Sequence, residues 1–228
     1  MRKPRIWGLP IRVFHILLIL LISFSFYTAE TMHVFTFGPQ SGPSQFDLHR
    51  WSGYTILALV LARIIWGLMG STTARFSHFL KGPGAIIAYT RKLLGGPYTP
   101  SVGHNPIGGW SVVLILSLLL AQTITGLLAS EDTFGLEGPL DHLVSTSTSY
   151  WLAGIHELIF KALFVVVAIH IAAALFYLVA KKDNLILPMI TGRKPIDGAE
   201  GLTFRPAWVA LVIVAVASGL VWAAINYL

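Results

Sequence analysis

Four of the eight histidines in this chain, His15, His49, His156 and His170, fall inside long apolar runs, where an ionisable side chain is costly and marks a functional position by default. His156 and His170 are 14 residues apart. In an α-helix, at about 100° and 1.5 Å per residue, that spacing puts them on one face and separates them by roughly 21 Å in depth. His15 stands near the start of the first run and His49 at the start of the second. With successive runs crossing in opposite directions, depth pairs His15 with His170 and His49 with His156.

Neutral imidazole is a good ligand for iron. Two imidazoles facing each other from different helices, at each of two depths, are what two six-coordinate haems require, and a closed axial pair favours electron transfer over gas binding. Zinc or a proton relay would also use histidine but would usually recruit carboxylates. The runs offer almost none, only Glu157 beside His156. Gly53, one turn after His49, and Gly126 give room for a flat macrocycle near the backbone, although ordinary helix packing uses such glycines equally. Haem propionates are anions and need partners. Arg63, 14 residues after His49, and Arg12, nearly one turn before His15, are the candidates at the inner depth, with snorkelling to the interface as the simpler role for Arg12. Lys161 is the candidate at the outer depth. His33, His78, His104 and His142 fall in loops and read as surface residues.

The elements that must position these side chains are membrane spans. The 228 residues are 55% hydrophobic and only 11% charged, far from a soluble norm, and about 20 apolar residues in a helix cross a bilayer. Such stretches run near Ile11 to Tyr27, His49 to Met69, Ile107 to Ala129, Trp151 to Ala180 and Pro206 to Tyr227. The first resembles a secretory signal, but no A-x-A cleavage site follows it and four more spans do. Between the second and third, Pro83 opens a short helix that Gly95 and Gly96 would close, suited to the inner membrane surface. No internal repeat stands out.

Orientation follows from the charges. Arg2, Lys3, Arg5, Arg12, Arg75, Lys81, Arg91, Lys92, Lys181, Lys182, Arg193, Lys194 and Arg205 lie at one side, 13 of the 16 basic residues. The opposite loops carry Glu30, Asp47, Glu131, Asp132, Glu137 and Asp141. By the positive-inside rule the N-terminus is cytoplasmic and the C-terminus periplasmic. The tryptophans fit two interfacial belts, Trp7, Trp66, Trp110 and Trp208 inside, Trp51, Trp151 and Trp222 outside. The basic residues form no contiguous patch on a recognisable module, which argues against nucleic acid despite the net charge of +6. The absence of cysteine removes disulfides, thiolate-ligated zinc, iron–sulfur clusters and c-type haem attachment.

Leu9-Pro10-Ile11-Arg12-Val13-Phe14-His15, Asp47-Leu48-His49-Arg50-Trp51-Ser52-Gly53-Tyr54 and Arg63-Ile64-Ile65-Trp66-Gly67, with His156 and His170, resemble the bacterial dihaem cytochrome b family, which includes cytochrome b561 and the cytochrome b subunit of nickel–iron hydrogenases. The resemblance runs from about Pro4 to Lys194. It implies four helices enclosing two haems, ligated by one histidine from each of the first two helices and two from the fourth. Eukaryotic cytochrome b561, with two histidines on each of two helices, departs from this pattern.

The expected fold is thus an all-α integral membrane protein. A four-helix haem-binding bundle occupies residues 1–194, and a linker with a fifth transmembrane helix occupies 195–228. In that helix Ala215 and Gly219 form a small-xxx-small pair suited to helix association, homo-oligomerisation included. The expected function is electron transfer through two b haems in the bacterial inner membrane, between the quinone pool and a periplasmic redox partner such as a c-type cytochrome or a hydrogenase. The acidic outer loops would suit a basic partner. The alternatives are a self-contained superoxide:quinone oxidoreductase and, with less support, a non-redox transporter or metal channel, whose usual broken mid-membrane helices are missing from these spans.

Overall fold

The computed structural model describes residues 3–31, 43–131 and 135–228, so His33 and Asp132 lie outside the described residues. The chain is an all-α integral membrane protein. Among the described residues five helices are long and apolar enough to span a bilayer: α1 (Leu9–Thr31), α2 (Gln45–Met69), α5 (Pro106–Leu128), α6 (Thr146–Ala180) and α8 (Ala207–Tyr227). Between them lie α3 (Phe76–Phe79), α4 (Pro83–Gly95) and α7 (Ile186–Thr191), plus a two-stranded antiparallel ladder of β1 (Ser130–Glu131) on β2 (Leu136–Glu137). In hydrocarbon every backbone polar group must be satisfied within the segment, so apolar runs of this length become helices. Their outward faces carry large apolar side chains such as Leu20, Phe164 and Leu211, exposed by 60, 65 and 69%. Lipid is the solvent for such a surface.

Three spans start or end beyond their apolar runs, because polar residues make good first and last turns. Ser44 and Asp47 cap α2 reciprocally: the Asp47 amide donates to Ser44 Oγ at 3.1 Å, and the Ser44 amide donates to Asp47 Oδ2 at 3.0 Å. Ser145 Oγ accepts from the Thr148 amide at 3.3 Å, which starts α6 five residues before Trp151. At the end of α1 the hydroxyls of Thr28 and Thr31 fold back on the Phe24 and Tyr27 carbonyls. The short helix expected between Pro83 and Gly96 is α4, with Pro83 in its first turn and Gly96 as its C-cap.

The chain divides into two compact units, and α1, α2, α5, α6 and α8 each contribute to both. The first comprises Met1–His15, Arg63–Leu116 and Val165–Ile213. Its core holds Ile6, Trp7, Trp66, Ala74, Phe79 and Tyr177. Long-range hydrogen bonds stitch it together. The amides of Ile6 and Trp7 donate to the Gly192 carbonyl at 2.8 and 3.1 Å, Thr73 Oγ1 donates to the Ile6 carbonyl at 2.6 Å, and the Thr72 amide donates to the Thr203 carbonyl at 3.0 Å. Gly192 ends α7 with φ +77°, and a Cβ there would fall 2.9 Å from the Trp7 carbonyl oxygen, so both conformation and space demand glycine. Asp183 and Lys194 form a buried ion pair at 2.6 Å, and Tyr98 donates its hydroxyl to the same carboxylate at 2.6 Å.

The second unit comprises Ile16–Ala62, Ser117–Phe164 and Val214–Leu228. Leu57, Ala58, Leu127, Leu140 and Val221 make its apolar core, so α8 is packed into it by Val221. Ser149 is 1% exposed; its hydroxyl accepts from Ser130 Oγ at 2.8 Å and donates to the Leu128 carbonyl at 2.6 Å. His142 Nε2 donates to the Leu228 carbonyl at 3.1 Å. That bond fastens the last residue of the chain beside the Asp141–Leu143 turn.

Two of the tryptophans expected at the interfaces are buried instead. Trp7 and Trp66 are 6 and 4% exposed. Gly103 packs on the indole of Trp7, a contact between segments distant in sequence that a count of apolar residues does not contain, and Gly70, four residues after Trp66, closes over that indole at the end of α2. Trp51, Trp110, Trp151, Trp208 and Trp222 keep exposed rings.

Candidate functional site

In the first unit, His15 of α1 and His170 of α6 face each other with ring centroids 6.4 Å apart. In the second, His49 of α2 and His156 of α6 stand 6.3 Å apart. A ligating imidazole nitrogen lies about 2 Å from its metal and about 1 Å from its own ring centre, so two axial imidazoles on one iron have centres roughly 6 Å apart. Both pairs fit that geometry. Among the described residues no group of three or more His, Asp or Glu side chains could hold a metal ion on its own, so the donor set suits a metal that brings its equatorial ligands with it.

The His49–His156 pair is oriented by backbone carbonyls. His49 Nδ1 donates to the Ser25 carbonyl at 3.0 Å, with Ser25 Oγ at 3.3 Å and Thr28 Oγ1 at 3.5 Å. His156 Nδ1 donates to the Gln122 carbonyl at 2.9 Å, with Thr125 Oγ1 at 3.3 Å. A protonated Nδ1 leaves Nε2 as the basic nitrogen on each ring, the arrangement common to metal-binding histidines. The side-chain amide of Gln122 donates to His156 Nε2 at 3.0 Å, so an axial bond at that nitrogen requires the amide to turn aside. No hydrogen bond holds a ring nitrogen of His15 or His170 among the described residues, and the His170 residue is exposed.

The two glycines differ. Gly53 borders open space, with nothing within 4 Å of where a Cβ would stand, as a cradle for a planar group needs. Gly126 faces the His156 ring: a Cβ there would lie 2.8 Å from Cε1 and 3.1 Å from Nδ1. Its role is to make room for the histidine.

Among the basic candidates, Arg63 is 4% exposed. Its Nη2 donates to the Ala74 carbonyl at 3.2 Å, its guanidinium lies over the Phe76 ring, and its Nη1 is buried without a partner. Arg12 donates to the Ile190 carbonyl through Nη2 and keeps a buried, unpartnered Nε. Trp66 likewise has a buried, unpartnered indole N–H. Lys161 does not serve the His49–His156 pair: it bonds Glu157 at 2.7 Å on the outward face of α6, both side chains about two-thirds exposed. An i, i+4 partner on its own helix is closer than anything across the bundle.

The reading of His104 as a surface residue is overturned. Its ring packs edge-on to Trp7 at 4.8 Å and against Phe79 at 4.6 Å, and Nδ1 is buried without a partner. Burial, reinforced by the nearby charges of Arg63, His170, His15 and His78, pushes its pKa down to about 3. The ring is neutral at physiological pH. Asn105 accepts from the Gly108 amide at 2.7 Å and Pro106 opens α5, so the pair of helix-start signals right after His104 was the available clue that this loop ends at the bundle. Gln122, Thr125 and Ser25, polar residues inside apolar runs, were the corresponding signal around His49 and His156.

No curated protein and no solved structure matches the chain significantly. The family model for prokaryotic cytochrome b561 matches residues 6–192, a stretch that contains all four paired histidines. On that match, and with five membrane-spanning helices, the chain belongs to the prokaryotic cytochrome b561 family and is a multi-pass membrane protein of haem-based electron transfer.

Proposed function

We propose that His15 with His170, and His49 with His156, are the axial ligands of two b haems, and that the chain carries electrons between the quinone pool and a periplasmic redox protein. The observation that carries this reading is the pair of face-to-face imidazoles, 6.4 and 6.3 Å between centroids, held on three apolar helices. Haem b supplies the one-electron redox couple; everything else asked of the site falls to the chain. Ser25 and Gln122 fix the tautomers of His49 and His156 through their carbonyls, so Nε2 points where a ligand is needed. With two histidines to hold each haem, small gases would find no free position on the iron. The apolar helices exclude water, which limits reorganisation around a change of charge. Gly53 leaves the space a macrocycle edge requires, and Arg63, buried and short of a partner, supplies a positive charge at the inner level.

The dihaem unit spans about residues 1–194, followed by a linker and α8. The excess of basic residues on one side sets the N-terminus in the cytoplasm of a bacterial inner membrane and leaves the acidic loops in the periplasm. Glu131, Glu137 and Asp141, gathered near the β1–β2 ladder, favour a partner with a basic docking face, as a c-type cytochrome or hydrogenase subunit can offer.

Pyridine-haemochrome analysis of purified protein, with dithionite-reduced spectra, tests the core of this proposal. Two b haems per chain are expected, with one lost in His156→Ala and one in His170→Ala. A haem-free wild-type protein would sink it. Two haems that neither reduced quinol nor oxidised quinone can address would remove the quinone pool from the proposal. Turnover with superoxide and quinone alone would replace the periplasmic partner by a self-contained oxidoreductase.

A further inference from the structure

Arg63 presents a physical problem. A guanidinium 4% exposed inside a membrane protein calls for a counter-charge, yet none of the ion pairs among the described residues involves it. Its one hydrogen bond goes to a neutral carbonyl of the Thr72–Ala74 turn, and Nη1 has none. The acidic side chain buried in the same unit, Asp183, is already bound by Lys194 and Tyr98.

The second orphan lies along the same aromatic wall. The Arg63 guanidinium carbon sits 5.3 Å from the Phe76 ring centre, Phe76 is 5.6 Å from Phe79, and Phe79 is 4.6 Å from His104, which Trp7 backs on another side. This wall fixes His104 in place and shields Nδ1, but gives that nitrogen nothing to bond. Buried polar atoms are nearly always satisfied. A buried cation and a buried neutral donor, both unsatisfied and within electrostatic reach of each other and of His15 and His170, describe a receptor for an anion with several acceptor oxygens. A carboxylate matches: it takes charge-assisted bonds from a guanidinium and a further bond from an imidazole N–H.

We propose that Arg63 and His104 together hold a propionate carboxylate of the haem ligated by His15 and His170, Arg63 through Nη1 as its charge partner and His104 through Nδ1 as a neutral hydrogen-bond donor. This rests on the bis-histidine reading above. Both residues are positioning groups: they set where the macrocycle edge stands and how much of its negative charge the iron feels. Removing either leaves the carboxylate less neutralised, which favours the ferric state and lowers the midpoint potential of that one haem.

The test is a potentiometric titration of purified protein. His104→Phe keeps an aromatic ring between Trp7 and Phe79 but removes the donor. His104→Asn puts an amide N–H close to where Nδ1 stood, and Arg63→Gln removes the charge. His104→Phe and Arg63→Gln are expected to shift one midpoint to lower potential with the other unchanged, and His104→Asn to keep that midpoint close to the wild-type value. Haem-depleted membranes reconstituted with protohaem dimethyl ester, whose propionates are esterified, should erase the difference between wild type and His104→Phe. Unchanged midpoints in both variants would overturn the proposal. So would a shift that survives with the ester, which would assign His104 to packing alone. If Arg63→Gln does not accumulate, the His104 pair carries the test by itself. A wild-type protein without two haems would take the underlying reading down, a result distinct from two haems indifferent to His104.

Discussion

At the scale of single residues, the site is built by what is left out as much as by what is put in. Gly126 allows the His156 ring to lie against α5, where a methyl group would come within 2.8 Å of Cε1. Neither the α5 backbone nor a ring tied to the Gln122 carbonyl can yield freely. Gly126→Ala is therefore expected to tilt or displace His156 and, on the proposed bis-histidine reading, to cause loss or spectral change of the haem at His49 and His156 with retention of the one at His15 and His170. Haemochrome stoichiometry together with low-temperature spectra measures this; two unaltered haems would show that the ring has more freedom than its contacts indicate. The adjacency of His15 with His170, and of His49 with His156, is legible in the sequence because helix rise and twist are rigid quantities. His104 is not legible in that way. Its neighbours Trp7 and Phe79 come from the N-terminal segment and from α3, and no local periodicity records such a meeting.

At the scale of elements, the five spans follow from apolar length, while their ends follow from capping chemistry that apolar length ignores. The Ser44–Asp47 box and the Ser145 cap lie in polar sequence outside the apolar runs. The segment after α6 depends on a different device. Asp183 just beyond that helix and Lys194 beyond α7 are 6 and 5% exposed and paired at 2.6 Å, and the Tyr98 hydroxyl completes the carboxylate's bonding. Burial and the adjacent carboxylate push the Tyr98 phenol above its ordinary range, so it remains a donor. Lys194→Met would strand a buried carboxylate, a loss of about 3 kcal/mol or more, whereas Tyr98→Phe removes one hydrogen bond, nearer 1 kcal/mol. Thermal denaturation of both variants in detergent checks the order. Equal effects would mean that water reaches Asp183 readily. The sequence shows these residues but not their union, because the separation between Tyr98 and Asp183 spans α5 and α6.

At the scale of the whole molecule, charge and hydropathy agree on a membrane protein, and the apolar side chains turned outward on α1, α6 and α8 agree with them. The positive-inside distribution predicts a periplasmic C-terminus. An alkaline phosphatase fused after Leu228 should be active in intact cells and a fluorescent reporter that folds only in the cytoplasm should be dark; the reverse pattern would invert the topology and exchange the two haem levels. Fold class and spans could be read from composition because lipid imposes one simple demand on every residue of a span. The interior wall of Trp7, Phe76, Phe79 and His104 could not, because tertiary packing, with no such uniform rule, decided it.

One outward feature has consequences for inheritance as well as for folding. Glu157 and Lys161 meet on the exposed face of α6, within a span that is otherwise nearly free of charge. Each side chain is tolerable there because the other cancels its charge one turn away. A lineage that replaces only the lysine, or only the glutamate, keeps an uncancelled charge facing lipid, whereas one that replaces both with apolar residues keeps none. The two positions are thus bound to a shared fate: in descendants of this chain they should survive as a pair or vanish as a pair, and the rare half-changed sequence should carry a new basic or acidic residue one turn away as its substitute.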